Sequence, residues 1–149
     1  MDRSMPLDVV DMLCQLVRIP SVNPMGRAMS GDACGEQALT EFLQAVFSGL
    51  GVAWERQTVD AGRDNIVACL GGRGSAETAS GILVFEAHQD TVPVDGMTID
   101  PWAPVIRDGR LYGRGSCDVK GGMACMLAAF SRLVDQPPPH MPTIVLACT

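Results

Sequence analysis

The chain has 149 residues, 47% of them hydrophobic and 19% charged, and its 11 basic against 17 acidic side chains leave a formal net charge of −6. A chain of this length buries roughly 68–70% of its unfolded surface, enough for the core of one soluble globular domain without disulfide staples. The scattered cations exclude a nucleic-acid binder and make an acidic lipid surface a poor partner, since phosphate neutralisation needs clustered Lys and Arg.

Pro6 followed by Leu7, Val10, Leu13, Leu16 and Val17 predicts an amphipathic helix that ends before Pro20. A loop over Pro20 to Gly26 follows. From Gly35, the apolar residues Leu39, Phe42, Leu43, Val46, Phe47 and Leu50 recur at three and four, with Gly49 and Gly51 as stops, and predict a second helix. Val52 to Val59 and Asn65 to Leu70 are β-prone runs on either side of a Gly-containing turn, and read as neighbouring strands. Gly71 to Ser80, rich in Gly, Ser and Ala, reads as a flexible connector. The unbroken apolar run Ile82 to Ala87 predicts a central strand buried on both faces.

Asp108-Gly109 between Val105-Ile106 and Leu111-Tyr112 is a tight-hairpin signature. A third helix is expected from about Gly122 to Asp135, stopped by Pro137, Pro138 and Pro139, and Thr143 to Cys148 reads as another buried strand. No internal repeat is present. The longest apolar run, Met123 to Phe130, is far short of the roughly 18 residues that span a membrane. The N-terminus lacks the basic and apolar regions of a secretory signal. Six cysteines without a C-x-x-C pair, most of them in apolar segments, read as free thiols acting as small hydrophobes in a reducing, cytoplasmic setting. Helices interleaved with buried strands predict a layered α/β/α domain with a mixed, mostly parallel central sheet, whose ligands lie beyond the carboxyl ends of its strands.

Two places there carry residues suited to chemistry. His88-Gln89-Asp90 directly follows the Ile82–Ala87 run, and alternation along an extended chain turns His88 and Asp90 to one side. A metal-binding His commonly has its second ring nitrogen held by a carboxylate, so the pair suits a ligand and its support; a solvated loop is the bland alternative. The second place is the Gly-rich loop Gly113 to Gly122. It does not fit phosphate, because Asp118 stands where G-x-G-x-x-G needs Gly, and Lys120 is followed by Gly121 rather than Ser or Thr. Asp118 suits either a hard cation or the cap of the following helix. His140 lies in a proline-rich, exposed stretch, Cys117 has no base placed to activate it, and Trp102, Tyr112, Met123, Met126 and Phe130 read as packing residues.

Taken together, His88-Gln89-Asp90-Thr91-Val92-Pro93, Trp102-Ala103-Pro104 and Asp108 to Gly122 closely resemble the co-catalytic zinc metallopeptidases and amidohydrolases. That family contains acetylornithine deacetylase, succinyl-diaminopimelate desuccinylase, aminoacylase and glutamate carboxypeptidase. Arg18-Ile19-Pro20-Ser21-Val22-Asn23-Pro24 and Asp64-Asn65-Ile66-Val67-Ala68 look like its opening segments. The resemblance implies a phosphorylase/hydrolase-like catalytic fold, with His88 a zinc ligand, Asp118 a carboxylate bridging two zinc ions, and Asp90 the catalytic carboxylate that orients His88. It implies two zinc ions per complete site, with cobalt as a substitute, and hydrolysis of the amide bond of an N-acyl amino acid or short peptide by a metal-activated water.

The family's paired glutamates, one of them the general base, follow the strand matching Thr143–Cys148, and two further ligands come much later. Residues 1–149 are therefore expected to be the N-terminal part of the catalytic domain, inactive alone, with the remaining ligands, general base and lid or dimerisation domain elsewhere. Homodimerisation is left to the longer protein. Such a piece would leave the Thr143–Cys148 strand bare and prone to aggregate. The alternative is a truncated, non-catalytic domain acting by protein interaction, and a nucleotide-binding domain is disfavoured by the broken glycine motifs.

Overall fold

A computed structural model describes residues 6–27, 31, 33–75, 77 and 81–149. Helix α1 spans Val9–Arg18, and its cap is Asp8, whose carboxylate accepts the Asp11 N–H at 2.9 Å. Pro6 therefore precedes the helix instead of opening it. Helix α2, Gln37–Leu50, ends at Gly51, whose left-handed backbone lets its N–H close on the Phe47 and Ser48 carbonyls. Strands β1 (Ala53–Asp60) and β2 (Arg63–Leu70) form an antiparallel hairpin, and β3 covers Ile82–Ala87. The expected small hairpin is β4 (Val105–Arg107) and β5 (Arg110–Tyr112), with Asp108 and Gly109 both at positive φ. Helix α3 spans Lys120–Asp135, and β6 spans Thr143–Cys148.

The main sheet is mixed, in the order β1-β2-β6-β3, and the α/β class is as the residue patterns predict. Its balance differs from the mostly parallel expectation. Only β3 and β6 are parallel, while β1 with β2 and β2 with β6 are antiparallel. The connections explain this: a two-residue turn forces β2 back along β1, whereas a parallel neighbour needs a long crossover, which only β3 to β6 possesses, through α3.

The larger correction concerns which strand is central. β6 lies between β2 and β3, and β3 stands at the sheet edge, with Ile82 69% and Val84 56% exposed. It is thus β3, rather than β6, that offers a bare apolar edge. Both strands are continuous apolar runs, and such a run reports hydrophobic surroundings without saying which neighbours supply them.

Register assigns the two faces. Ala68, Leu146 and Phe85 lie side by side across β2, β6 and β3, as do Cys69, Val145 and Val84. Ala68 and Leu146 are buried in one core with Leu16 of α1, Leu43 and Phe47 of α2, and Met123, Leu127 and Phe130 of α3. Among the described residues the helices cover this face only, and the Cys69–Val145–Val84 face has none, where the α/β/α expectation has both covered. Of the six thiols only Cys148 is buried, and Cys69, Cys117 and Cys125 are exposed. Apolar sequence neighbours do not decide which way a single side chain points.

An exposed apolar edge strand templates pairing between chains. Val84→Lys, on the uncovered face, is expected to reduce self-association in light scattering. Its effect on monomer stability should stay within about 0.5 kcal/mol, as for other surface changes.

Candidate metal centre

Beyond the carboxyl end of β3 the chain passes through His88, Gln89 and Asp90, which alternate as extended backbone does. Gln89 is fully buried, while His88 and Asp90 face a cavity of about 290 Å³ shared with Glu36, Arg63, Asp64, Asn65 and Thr149. Gln89 is the anchor. Its Nε2 donates to the Asp64 carbonyl at 2.9 Å and the Cys148 carbonyl at 3.1 Å, and its Oε1 accepts from the Thr40 hydroxyl at 2.9 Å. One side chain thereby ties the ends of β2 and β6 to α2 directly beneath His88. The local sequence carries one signal for this role, a polar residue wedged between two candidate site residues directly after an apolar strand.

The segment before α2 is laced to the same turn. The Thr91 N–H donates to the Ser21 carbonyl at 2.8 Å, the Asn23 N–H donates to the Thr91 carbonyl at 2.8 Å, and the Ser21 hydroxyl donates to the Gln89 carbonyl at 2.8 Å. Ser21 and Thr91 are buried. At the cavity wall, Arg63 holds the buried Glu36 carboxylate with two parallel bonds, from Nε at 2.8 Å and Nη2 at 2.7 Å. This pairing, led by the Glu36 hydrogen bond, raises the Arg63 guanidinium above its ordinary pKa.

The Gly-rich loop brings Asp118 to His88. Three of its glycines are dictated by close approach: a Cβ on Gly113 would lie 2.5 Å from Val17 Cγ1, on Gly115 2.7 Å from Thr91 Cγ2, and on Gly121 2.5 Å from the Ser116 carbonyl oxygen. Lys120 then runs inward, fully buried, and donates to the Leu16 carbonyl at 2.9 Å and the Ile19 carbonyl at 2.6 Å. Burial pushes this ammonium down to about 8. Its nitrogen also lies 5.9 Å from the Trp102 ring centre, so Trp102 has the packing role expected of it. Lys120 thus serves the end of α1, and no phosphate.

Asp118 is not the helix cap. That position is Val119, and no side chain caps α3. The Asp118 carboxylate stands exposed, with Oδ1 3.2 Å from His88 Nε2. On the other side of the ring, Nδ1 lies 2.9 Å from Asp90 Oδ1 and 3.0 Å from the Asp90 carbonyl oxygen. Both acceptors at Nδ1 call for a proton there, which leaves the Nε2 lone pair facing a carboxylate. Two acceptors face each other comfortably only across a shared proton or a cation. Burial pulls the His88 imidazole down, but Asp118 and the Asp90 contacts outweigh it and hold its pKa above the ordinary value.

The spacing fits a cation as well as a proton. Two ligands at about 2.0–2.1 Å on one tetrahedral ion stand about 3.3 Å apart. Among the described residues no third His, Cys, Asp or Glu completes such a cluster. His140 is exposed in the loop before β6, as expected, and lies outside this group.

Residues 84–149, which hold His88, Asp90 and Asp118, match the model of peptidase family M20/M25/M40. The resemblance drawn from the motifs is thereby borne out. The fold is likewise shared by solved structures. An M20 family metallo-carboxypeptidase from Sulfolobus solfataricus superposes with a TM-score of 0.75 at 21% identity, covering 95% of this chain and 30% of that one. Human carnosine dipeptidase 1 gives 0.66 at 25% identity, covering 93% and 31%. A tripeptidase from Staphylococcus aureus gives 0.68 at 22% identity, covering 98% and 37%. The chain spans about a third of the length of these structures. No described helix is long and apolar enough to cross a membrane.

Proposed function

We propose that this chain carries the first part of a two-metal hydrolase centre that cleaves the amide bond of N-acyl amino acids or short peptides. The observation that supports it best is the Nε2 of His88 turned onto Asp118 Oδ1 at 3.2 Å while Nδ1 is committed to Asp90. In this reading His88 and Asp118 hold zinc, or cobalt in its place, with Asp118 bridging two ions and Asp90 fixing the ring of His88. The bound metal supplies Lewis acidity, which polarises the scissile carbonyl and makes water acidic enough to attack at neutral pH.

The chain's own residues prepare that centre. Asp90 holds the imidazole proton on Nδ1, Gln89 fixes the turn that carries both residues, and the glycines around Asp118 leave both carboxylate oxygens room. A catalytic zinc has three protein ligands, so this reading takes further ligands and the general base from beyond the described residues, with residues 1–149 as the N-terminal part of the catalytic domain. The uncovered apolar β3 edge supports the same division. Within the family we favour the acetylornithine deacetylase and succinyl-diaminopimelate desuccinylase branch, working in the cytoplasm, with the longer protein as a homodimer.

The test is a zinc titration of the chain followed by nitrogen NMR of the histidines. His88 Nε2 is expected to shift while His140 stays unchanged, and Asp118→Ala should weaken the zinc response at least about 10-fold, since half of the pair is lost. A His88 signal indifferent to zinc would overturn the assignment. For the longer polypeptide, rates on N-acetyl, N-succinyl and dipeptide substrates would choose between the branches.

A further inference from the structure

We propose that Asn23 is a positioning residue for this centre: it locks the Asp90 carboxylate so that His88 keeps its proton on Nδ1 and presents a bare Nε2 to Asp118. The proposal rests on the reading of His88 as a ligand. Asn23 lies 67 positions before Asp90 in the sequence, yet its Nδ2 donates to Asp90 Oδ2 at 2.6 Å. The other oxygen of the same carboxylate, Oδ1, lies 2.9 Å from His88 Nδ1. Both oxygens of Asp90 are therefore engaged, one by the imidazole and one by the amide, and neither can turn without breaking a short, charge-assisted bond.

The Asn23 amide is itself held in one orientation. Its Oδ1 accepts the Met25 N–H at 3.0 Å, which leaves the NH₂ group to face Asp90. A flipped amide would set a carbonyl oxygen against the carboxylate and an NH₂ against an N–H, and lose both bonds. The Asn23 backbone is fixed too, by its N–H on the Thr91 carbonyl at 2.8 Å, in a segment joined to the metal-side turn through Ser21 and Thr91. Pro24 restricts the same residue from the other side. The result is an ordered row, Asn23 to Asp90 to His88 to Asp118, in which each member sets the direction of the next. Of these four, Asn23 alone comes from the segment that precedes α2. The Asp90 carbonyl also lies near Nδ1, but a carboxylate is the stronger acceptor, and only the carboxylate depends on Asn23.

The experiment compares the whole 149-residue chain with Asn23→Ala and Asn23→Asp. Asn23→Asp keeps the acceptor for Met25 and hence the turn, removes the donor, and sets a negative charge against Asp90, so it serves if Asn23→Ala does not fold. Nitrogen NMR of the metal-free chains, at a pH high enough to leave the imidazole neutral, reports which ring nitrogen of His88 carries the proton. With only two histidines in the sequence, His140→Gln assigns the signals. The expected result is a single Nδ1–H tautomer in the parent chain and a mixture in both variants, with the rest of the spectrum unchanged. The zinc concentration needed to shift Nε2 should rise about 10–100-fold, the usual effect of removing a group that orients a metal ligand.

An unchanged His88 tautomer in folded variants overturns the proposal, as does a parent chain whose proton sits on Nε2. If zinc leaves His88 unshifted in the parent chain, the ligand assignment fails instead, and the tautomer comparison still decides the role of Asn23.

Discussion

Replacing Gln89 by Leu is expected to lower the stability of this domain by about 2–3 kcal/mol, a large effect for a single substitution. Leu fills a similar volume, so the loss is polar. The Asp64 and Cys148 carbonyls lose their shared donor, while the Thr40 hydroxyl loses one acceptor and keeps the Glu36 and Asp64 carbonyls at 3.1 and 3.2 Å. Each buried group left without a partner costs about 1–3 kcal/mol. The Cys148 carbonyl carries most of that cost, because Thr40 and the Asp64 carbonyl keep each other as partners, and two further polar bonds are lost, against a gain of about 0.8 kcal/mol per buried methyl carbon. For a domain of this size each kcal/mol moves the melting temperature by about 2–4 °C. A fall of about 4–12 °C in a thermal melt is the expected reading, and a fall of under about 2 °C would mean that Gln89 does not anchor the strand ends.

Two adjacent glycines at the start of α3 should answer oppositely to the same change. Alanine in a helix is favoured over glycine by about 0.8–1.0 kcal/mol, and by propensity alone Gly121→Ala and Gly122→Ala would both stabilise. At Gly121 the new Cβ would lie 2.5 Å from the Ser116 carbonyl oxygen, a backbone atom that cannot step aside without moving the loop that carries Asp118. Overpacking of that kind costs about 1–3 kcal/mol and here outweighs the propensity gain. At Gly122 the nearest atom is Val119 Cγ2 at 3.3 Å, the end of a side chain that can give a few tenths of an ångström. Chemical denaturation should therefore show Gly121→Ala destabilised and Gly122→Ala neutral or stabilised. Gly121→Ala should also weaken zinc binding, because the Asp118 loop moves with Ser116. Equal responses at the two positions would contradict the packing described around this turn.

The candidate site residues were legible in the sequence because local rules suffice for them. A His and an Asp two apart after a strand share a side through the alternation of extended chain, and Asp118 stood out because a carboxylate spoils a phosphate loop. Helices α1 and α2 and the β4–β5 hairpin were legible for the same reason, their signals being periodicity and turn residues within a few positions. Asp118 as a possible helix cap shows where local rules stop. Asp is a good cap by type, yet the structure puts Val119 there and leaves the carboxylate free to face His88.

By itself, then, the sequence determined the α/β class, most elements, the family resemblance, and His88, Asp90 and Asp118 as candidates, since each depends on spacing within one segment. Only the tertiary structure decided that β6 rather than β3 is central, that Gln89 and Asn23 hold the turn from below and beside, and that Gly121 but not Gly122 is crowded. Those outcomes depend on pairs such as Asn23 with Asp90 or Gln89 with Cys148, far apart along the chain and brought together by strand order. A hydrogen bond between distant segments leaves no mark on the local pattern of either one, because its free energy appears only once the intervening chain has folded.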